Sequence, residues 1–280
     1  MSEGALTAEE SGVRRIVLDY PVRSRPRYGW GRPDHPGLSR LMWEGRERYR
    51  ELLLDFAGHI DELERIPVEG APDGTDPSWI NNYYPGLDSV ALYGLLARLR
   101  PRLYMEVGSG NSTKFVRRAI RDQDLPTRLV SIDPHPRAEV DALCDEVIRQ
   151  PLEDVDPAVV DQLQSGDVLF IDGSHRVFMN SDVVAAFLDF MPRLAAGVHV
   201  HIHDIWIPSD YPAEWSSRFY SEQYILAAQL VAGTTAYDVE FPAWYVTNDP
   251  ELSLILQPLW DKPHMRRVER HGCSFWVVTK

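Results

Sequence analysis

From Pro101 onwards the chain alternates short apolar runs with amphipathic segments, and this alternation restricts the fold more than any other feature. The strand candidates are RLYMEV, RLVSI, DEVIRQ, DVLFID and GVHVHIHD, at residues 102–107, 128–132, 145–150, 167–172 and 197–204. The intervening segments predict helices near residues 113–121, 136–143, 156–163 and 181–194. Largely unbroken apolar strands separated by helices are typical of a parallel sheet covered on both faces.

The two ends of the chain have a different texture. Apolar residues recur at helical spacing over residues 37–63, and residues 87–99 predict a second helix that closes before Pro101. In the tail, AYDVEFPAWYV and CSFWVVTK predict two strands that pair antiparallel at one edge, without a full helix between them. We expect residues 1–80 to form an N-terminal extension with a helix and a lid, and residues 81–280 to form the main domain.

Composition excludes several classes of protein. With 44% hydrophobic and 25% charged residues in 280, the chain can bury a sizeable core. A formal charge of −13 argues against nucleic acid as a partner, because phosphate binding needs an excess of Lys and Arg. Cys144 and Cys273 are too few for a disulfide framework, and no apolar run approaches the roughly 20 residues of a membrane span. These features predict a cytoplasmic protein without a membrane partner.

The segment MEVGSGNST, residues 105–113, contains the first candidate binding site. Gly108 and Gly110 follow a predicted strand, and the next helix begins near Ser112. A ligand can therefore approach the backbone closely and meet the helix N-terminus. A pyrophosphate fingerprint would have a third glycine where this chain has Thr113. Glu106 at the strand end is a poor neighbour for a phosphate but suits a ligand with an ammonium group.

The segment VSIDPHP supplies a second acid at the end of the next predicted strand. Asp133 is placed there to accept hydrogen bonds from ribose hydroxyls, although an Asx turn or a helix cap before Pro134 would explain it equally well alone. Ribose and ammonium without pyrophosphate describe S-adenosylmethionine. The predicted pocket for this donor consists of Glu106, Gly108, Ser109, Gly110, Ser112, Asp133, Pro134 and Asp172.

Residues 103–204 resemble class I S-adenosylmethionine-dependent methyltransferases in MEVGSG, SIDP and DVLFID. More narrowly, EVGSGNST, FIDGSH and HIHDIW are similar to a branch that includes macrolide-sugar O-methyltransferases and cephalosporin hydroxylase-like proteins. The resemblance implies an α/β, Rossmann-like sheet of seven mostly parallel strands, with helices on both faces and a reversed last strand. It also implies O-methylation of a small hydroxylated molecule, as in specialised metabolism. The sequence leaves a homo-oligomer open.

Acids and histidines follow two strands that are neighbours in this topology. Asp172 and His175 belong to FIDGSH, and His203 and Asp204 belong to HIHD. Such a cluster is stable if a divalent cation neutralises it. The resemblance assigns Asp172 and Asp204 as metal ligands and His175 as general base. His203 stands where the family has an acid, so we expect it as a third ligand or close neighbour of Mg²⁺, or of the softer Mn, Fe or Zn. A site without a metal is the alternative.

Each of these histidines has a structural alternative. His175 could cap the helix that starts near Ser181, and His203 could be a helix or loop cap. For His199 and His201 we favour structural roles, with His199 near the strand's start and His201 a candidate partner of a metal ligand.

Two segments near the predicted site are rich in aromatic residues. PSDYPAEW, residues 208–215, suggests a loop that covers an apolar substrate, and NNYYPG, residues 81–86, suggests a lid.

Two other functions stay open. His201, His203 and an acid could form the two-histidine, one-carboxylate iron site of an oxygenase. A non-catalytic protein that binds the donor and regulates a partner is the other alternative.

Overall fold

A single sheet of seven strands organises the computed structural model, which describes residues 20–71, 74–136 and 140–280. The strands are β1 Leu103–Val107, β2 Arg128–Ile132, β3 Glu146–Ile148, β4 Val168–Ile171, β5 His199–Ile202, β6 Tyr237–Pro242 and β7 Phe275–Thr279. Their order across the sheet is β3-β2-β1-β4-β5-β7-β6. The first five strands pair parallel, and β7 lies antiparallel between β5 and β6. The predicted Rossmann-like sheet with a reversed last strand is confirmed.

Helices cover both faces of this sheet. They are α1 Pro36–Glu44, α2 Arg46–Ala57, α3 Ile60–Leu63, α4 Gly86–Leu99, α5 Asn111–Asp122, α6 Asp182–Ala185, α7 Glu222–Val231, α8 Ala243–Asn248 and α9 Gln257–Trp260. After α6 the chain continues as a π-helical turn, Ala186–Phe190, and a 3₁₀ turn, Met191–Arg193. Pro192 has no N–H to donate to the preceding turn, which helps to explain why the α-helical pattern stops there.

Alternate residues of each strand divide the core into two parts. On β1, Tyr104 packs with the helices α2, α4 and α5, whereas Met105 and Val107 face the cluster that includes residues of α1, α6 and α7. This alternation follows from the two-residue period of a strand. Each fully buried large side chain contributes about 1.5–3 kcal/mol relative to its exposed state, so both helical layers are held by burial rather than by helix propensity.

Several predicted elements differ from the observed ones. The N-terminal helix divides at Gly45, which ends α1 and precedes α2. A side chain at residue 45 would clash with the ring of Tyr49. The segment AWYV is not a strand: β6 ends at Pro242 and α8 begins at once. The helix predicted at residues 156–163 is a 3₁₀ helix, Pro157–Gln162. The helix predicted at residues 136–143 lies partly outside the described residues, and its end is a 3₁₀ turn, Asp141–Leu143.

The strand order reverses between β1 and β4, whose neighbouring carboxyl ends carry Gly108 and Asp172. In open α/β sheets the crevice beyond such a reversal is where ligands bind. Within the described ranges no helix has the length and apolar character needed to cross a bilayer.

Candidate functional site

The turn after β1 is held in one geometry by its own side chains. Gly108 has φ +82°, and a Cβ there would lie 1.9 Å from the backbone oxygen of Asp172. The Asp133 carboxylate accepts hydrogen bonds from the backbone N–H groups of Ser109, at 2.8 Å, and His135, at 2.7 Å. The contact with His135 is an Asx turn, which is the structural role that the sequence also allowed for Asp133. Its carboxylate oxygens can accept further bonds, because each has a second lone pair.

Glu106 differs from its expected role. Its side chain is buried beneath α5, where Oε1 accepts a 2.5 Å hydrogen bond from Thr113, and Oε2 has no hydrogen-bond partner. Burial raises the pKa of Glu106 to about 8. The sequence predicted that an ionised Glu106 would contact an ammonium group of the ligand. The structure corrects this prediction, because the Glu106 side chain points from β1 into the core. Through Thr113, which accepts the Gly110 N–H at 2.9 Å, Glu106 supports the glycine turn instead.

Two clefts meet at Asp172. The first, of about 420 Å³, lies beside the glycine turn, and its lining includes five predicted donor-pocket residues: Gly108, Ser109, Asp133, Pro134 and Asp172. A small recess beside Gly110 and Ser112 is lined by Asp172 as well. The second cleft, of about 640 Å³, lies on the other side and is lined by Asp172, His175, His203, Asp204 and several aromatic residues. We call these the donor cleft and the acceptor cleft.

His175 lies on the floor of the acceptor cleft among three carboxylates. Its Nε2 is 3.1 Å from Asp172 Oδ1 and 3.4 Å from Asp204 Oδ2, and its Nδ1 is 2.9 Å from Glu222 Oε2. Burial lowers the pKa of His175, but hydrogen bonds to Asp172 and Glu222 and the charge of Asp204 outweigh it, so the pKa is raised well above its ordinary value. His175 therefore loses its proton at a higher pH than an ordinary histidine does.

The backbone at the cleft floor adopts an uncommon conformation at two of these residues. His175 has φ +59° and Asp204 has φ +55°, both in the left-handed region. Such conformations persist where surrounding contacts hold them and are concentrated at functional sites. The helix-cap alternative for His175 is not realised, because Ser181 caps α6 with its own hydroxyl.

His203 lies in a different group from Asp172. Its Nε2 faces the Sγ of Cys273 at 3.9 Å and Asp204 Oδ1 at 3.9 Å, and its Nδ1 is 3.3 Å from Nε2 of His201. In the described part of the chain, potential ligand atoms converge as Asp172–His175–Asp204 and as Asp88–His203–Cys273. The predicted metal ligands Asp172, His203 and Asp204 therefore do not form one group. His175, rather than His203, lies beside Asp172, because the His203 side chain points toward the start of β7.

The other two histidines have structural contacts. His199 pairs with Glu240 at 2.8 Å, away from the clefts. His201 is fully buried and stacks on Phe170 with ring centroids 4.2 Å apart. Burial and the charge of His203 hold the pKa of His201 well below its ordinary value, so it is neutral.

Both aromatic segments line the acceptor cleft. Among the aromatic residues of NNYYPG and its approach, Trp79 and Tyr84 are buried in the core and Tyr83 is well exposed. From PSDYPAEW, Tyr211 and Trp215 pack with Trp206. The lid at NNYYPG stays a prediction.

Three site residues had no signal in the sequence analysis: Asp88, Glu222 and Cys273. Asp88 is fully buried in the first turn of α4, where it accepts the backbone N–H groups of Cys273, at 2.8 Å, and Ser274, at 2.9 Å. Glu222 is fully buried in the first turn of α7. An acid in the first turn of a helix ordinarily indicates only a favourable dipole contact, so neither position stood out.

Comparison with known proteins agrees with this architecture. Residues 105–205 match the family model of a methyltransferase domain. A comparison with curated proteins found no match. Solved structures with a similar fold include an O-methyltransferase, TomG, from Streptomyces achromogenes, in complex with SAM (16% identity, 81% of this chain and 90% of that chain, TM-score 0.38).

Two further similar structures are an O-methyltransferase from Bacillus cereus with SAH (14% identity, 81% and 90%, TM-score 0.40) and the plantazolicin methyltransferase BpumL with a desmethylPZN analog and SAH (13%, 84% and 99%, TM-score 0.43). These likenesses are distant, so the assignment rests on the family match, the sheet order and the glycine turn after β1. Residues 105–205 therefore form a methyltransferase domain.

Proposed function

We propose that this methyltransferase transfers a methyl group to a hydroxyl of a small metabolite, with His175 as general base. The supporting observation is that Asp172 lines both the donor cleft and the acceptor cleft, while His175 Nε2 lies 3.1 Å from it on the acceptor side. A reacting oxygen can therefore lie near the base and the donor at once. Alignment of the two reactants and removal of one proton are what this reaction needs from a protein.

The donor cleft fits S-adenosylmethionine. A Cβ at residue 108 would fill the space at the turn, and Asp133 offers free acceptor capacity for ribose hydroxyls. Ser109, Gly110, Ser112 and Pro134 remain proposed contacts, with α5 directing its N-terminal N–H groups at the ligand. When bound, S-adenosylmethionine supplies the electrophilic methyl group.

The side chains around His175 determine its part in the step. The acceptor O–H bond breaks as the oxygen attacks the methyl carbon, and the proton moves to Nε2 of His175. Glu222 holds the opposite ring nitrogen, which fixes the orientation of the imidazole. Asp172 and Asp204 then stabilise the imidazolium that has formed. Tyr83, Trp206 and Trp215 in the walls of the acceptor cleft suit a substrate with an apolar body.

The position predicted for the metal ion, between Asp172 and Asp204, changes in this proposal. An ion bound between Asp172 and Asp204 would occupy the position of Nε2 of His175, because Nε2 lies 3.1 Å from one carboxylate and 3.4 Å from the other. We therefore propose that Asp172 orients the base and that a divalent ion, if the enzyme uses one, binds on the other side of Asp204. Such an ion would lower the pKa of an acceptor hydroxyl.

Neither group of potential ligand atoms contains two imidazoles beside a carboxylate, so these groups give no support to the oxygenase alternative.

The chain organisation and location complete the proposal. We propose residues 81–280 as the methyltransferase domain and residues 1–80 as its extension, with Tyr49, Leu53 and Phe56 of α2 packing into the core under α4. A cytoplasmic location follows from the composition and the donor. We propose a small molecule as the substrate, no nucleic acid or membrane partner, and a homo-oligomer as a state still to be tested.

A screen with methyl-labelled S-adenosylmethionine tests the reaction. Hydroxylated small molecules with an apolar or aromatic body should gain one labelled methyl group on oxygen. Analogues in which the hydroxyl is replaced by hydrogen should gain none. Methylation of amines or thiols in preference to every alcohol in the screen would contradict the proposed acceptor.

Asp133→Ala is expected to weaken binding of S-adenosylmethionine by about 1.5–3 kcal/mol, because a charge-assisted hydrogen bond to ribose is lost. Calorimetry measures the change. Asp156→Ala is the matched control, since Asp156 also accepts a backbone N–H two residues on, from Ala158, but lies away from both clefts. Equal affinities in wild type and Asp133→Ala would remove Asp133 from the donor site.

The pH dependence should report the charged environment of His175. A base must be neutral, so kcat/KM should rise with pH and reach half its maximum above pH 6.5, because the pKa of His175 is raised. In Glu222→Gln the carboxylate that favours the imidazolium is gone, which should move the profile to lower pH. Glu240→Gln, at the His199 pair, should leave it unchanged. A Glu222→Gln profile that stays in place would show that another group titrates.

A further inference from the structure

The floor of the acceptor cleft continues beyond Asp204 into a second group of potential ligands that includes a thiol. His203 Nε2, Cys273 Sγ and Asp204 Oδ1 form a triangle with sides of 3.4, 3.9 and 3.9 Å. Around a tetrahedral zinc ion, ligands at about 2.0–2.3 Å from the metal lie roughly 3.3–3.8 Å from one another. The triangle is therefore close to one face of a zinc tetrahedron in its metal-free form.

Asp88 does not belong to this triangle, although it lies close by. Its two oxygens already accept the backbone N–H groups of Cys273 and Ser274. It approaches His203 on Nδ1, at 4.0 Å, whereas Cys273 and Asp204 face Nε2. One ion cannot bind both ring nitrogens, so Asp88 acts as a positioning residue that fixes Cys273.

The surroundings favour a cation at this point. The carboxylates of Asp88 and Asp204 lie 4.0 and 3.9 Å from the two ring nitrogens of His203, and Asp172 lines the same cleft. A divalent ion would offset part of this buried negative charge. His203, Asp204 and Cys273 all line the acceptor cleft, so the fourth corner of the tetrahedron is open to a bound molecule. Zinc sites with three protein ligands and an open corner are the catalytic type.

A partner for the free nitrogen of His203 is present as well. Nδ1 of His203 lies 3.3 Å from Nε2 of His201, which is buried and neutral and can accept the His203 N–H. Metal-bound histidines usually donate their second N–H to such a partner, which fixes the ring and its tautomer. The stack of Tyr84 on His203, with centroids 5.0 Å apart, further limits rotation of the ring.

We propose that His203, Asp204 and Cys273 bind a soft divalent cation of the Zn²⁺ class, with its open coordination position facing the acceptor cleft. On binding, the Sγ–H bond of Cys273 breaks, a sulfur–metal bond forms and the proton passes to the buffer. His201 positions His203 for this role. The site lies in the cleft of the proposed methyl transfer but does not rest on it, because metal binding can be measured without donor or acceptor.

Cobalt spectroscopy on the full-length protein tests the site, after a chelator has been used and removed. Co²⁺ alone should give a thiolate-to-cobalt charge-transfer band and the intense visible bands of a tetrahedral site, and Zn²⁺ should abolish both. Cys144→Ser should keep the band. Cys273 is the sole cysteine of this variant, so a retained band assigns the thiolate ligand to Cys273 while the proposed site itself is unaltered. Cys273→Ser should remove it.

His201→Phe adds a test of the positioning role. Loss of the partner on Nδ1 should weaken zinc binding by roughly 10–100-fold while the charge-transfer band persists at saturating cobalt. Absence of the band in wild type, its loss in Cys144→Ser or its persistence in Cys273→Ser would each overturn the proposal. The contacts of Cys273 with Asp88 and Asp204 would then be those of a hydrogen-bonded thiol. Binding of S-adenosylmethionine should be unaffected in every outcome.

Discussion

His175→Ala is expected to lower the turnover number of methyl transfer by roughly 10²–10⁴-fold, the usual contribution of a positioned general base. The side chain lies in the acceptor cleft, outside the donor cleft, so the affinity for S-adenosylmethionine should change little. Steady-state kinetics on an accepted substrate, together with calorimetry of donor binding, measure the two effects separately.

Two variants make this result specific. His199→Ala removes another histidine that is paired with a carboxylate, but away from both clefts, and should leave turnover unchanged. His175→Gln keeps a polar side chain among Asp172, Asp204 and Glu222, which guards against misfolding from unpaired buried charge. If either variant of His175 turns over at the wild-type rate while folded, His175 has no part in proton transfer.

Gly108→Ala is expected to reduce the free energy of unfolding by roughly 2–6 kcal/mol and to abolish measurable donor binding. The left-handed φ of Gly108 costs a non-glycine residue about 1–3 kcal/mol, and relief of the clash with the backbone oxygen of Asp172 adds a comparable amount. Movement of Asp172 would also disturb the junction of the two clefts. Denaturant unfolding and calorimetry measure both consequences.

Gly110→Ala is the matched control in the same turn. A Cβ at residue 110 meets no atom within 4 Å, so stability should change far less than in Gly108→Ala. If the two variants lose the same stability, the close approach between Gly108 and Asp172 is not what restricts this position.

The sequence predicted those features that depend on local pattern. Period and length of the apolar runs predicted the parallel strands, and the acids at their carboxyl ends had to meet at one edge because neighbouring strands end together. Asp172, His175 and Asp204 do converge there. Side-chain direction at the strand end was less predictable: Glu106, inside β1, points into the core, whereas Asp172, just past β4, lines both clefts.

Partners from distant segments could not be predicted. Asp88, Glu222 and Cys273 come from the starts of α4 and α7 and from the approach to β7, and no spacing in the sequence relates them to residues 172–204. Their positions depend on how β7 inserts between β5 and β6 and on how the helices pack over it. These contacts place Glu222 against His175, where it helps to raise the histidine pKa, and group His203 with Cys273.

Titration of S-adenosylmethionine into the wild-type protein, followed by calorimetry, tests the central claim most directly. We predict saturable binding at one site per chain, with the demethylated product competing for the same site and Gly108→Ala failing to bind. A folded wild-type protein that binds neither compound would contradict the assignment of the glycine turn and Asp133 as a methyl-donor site.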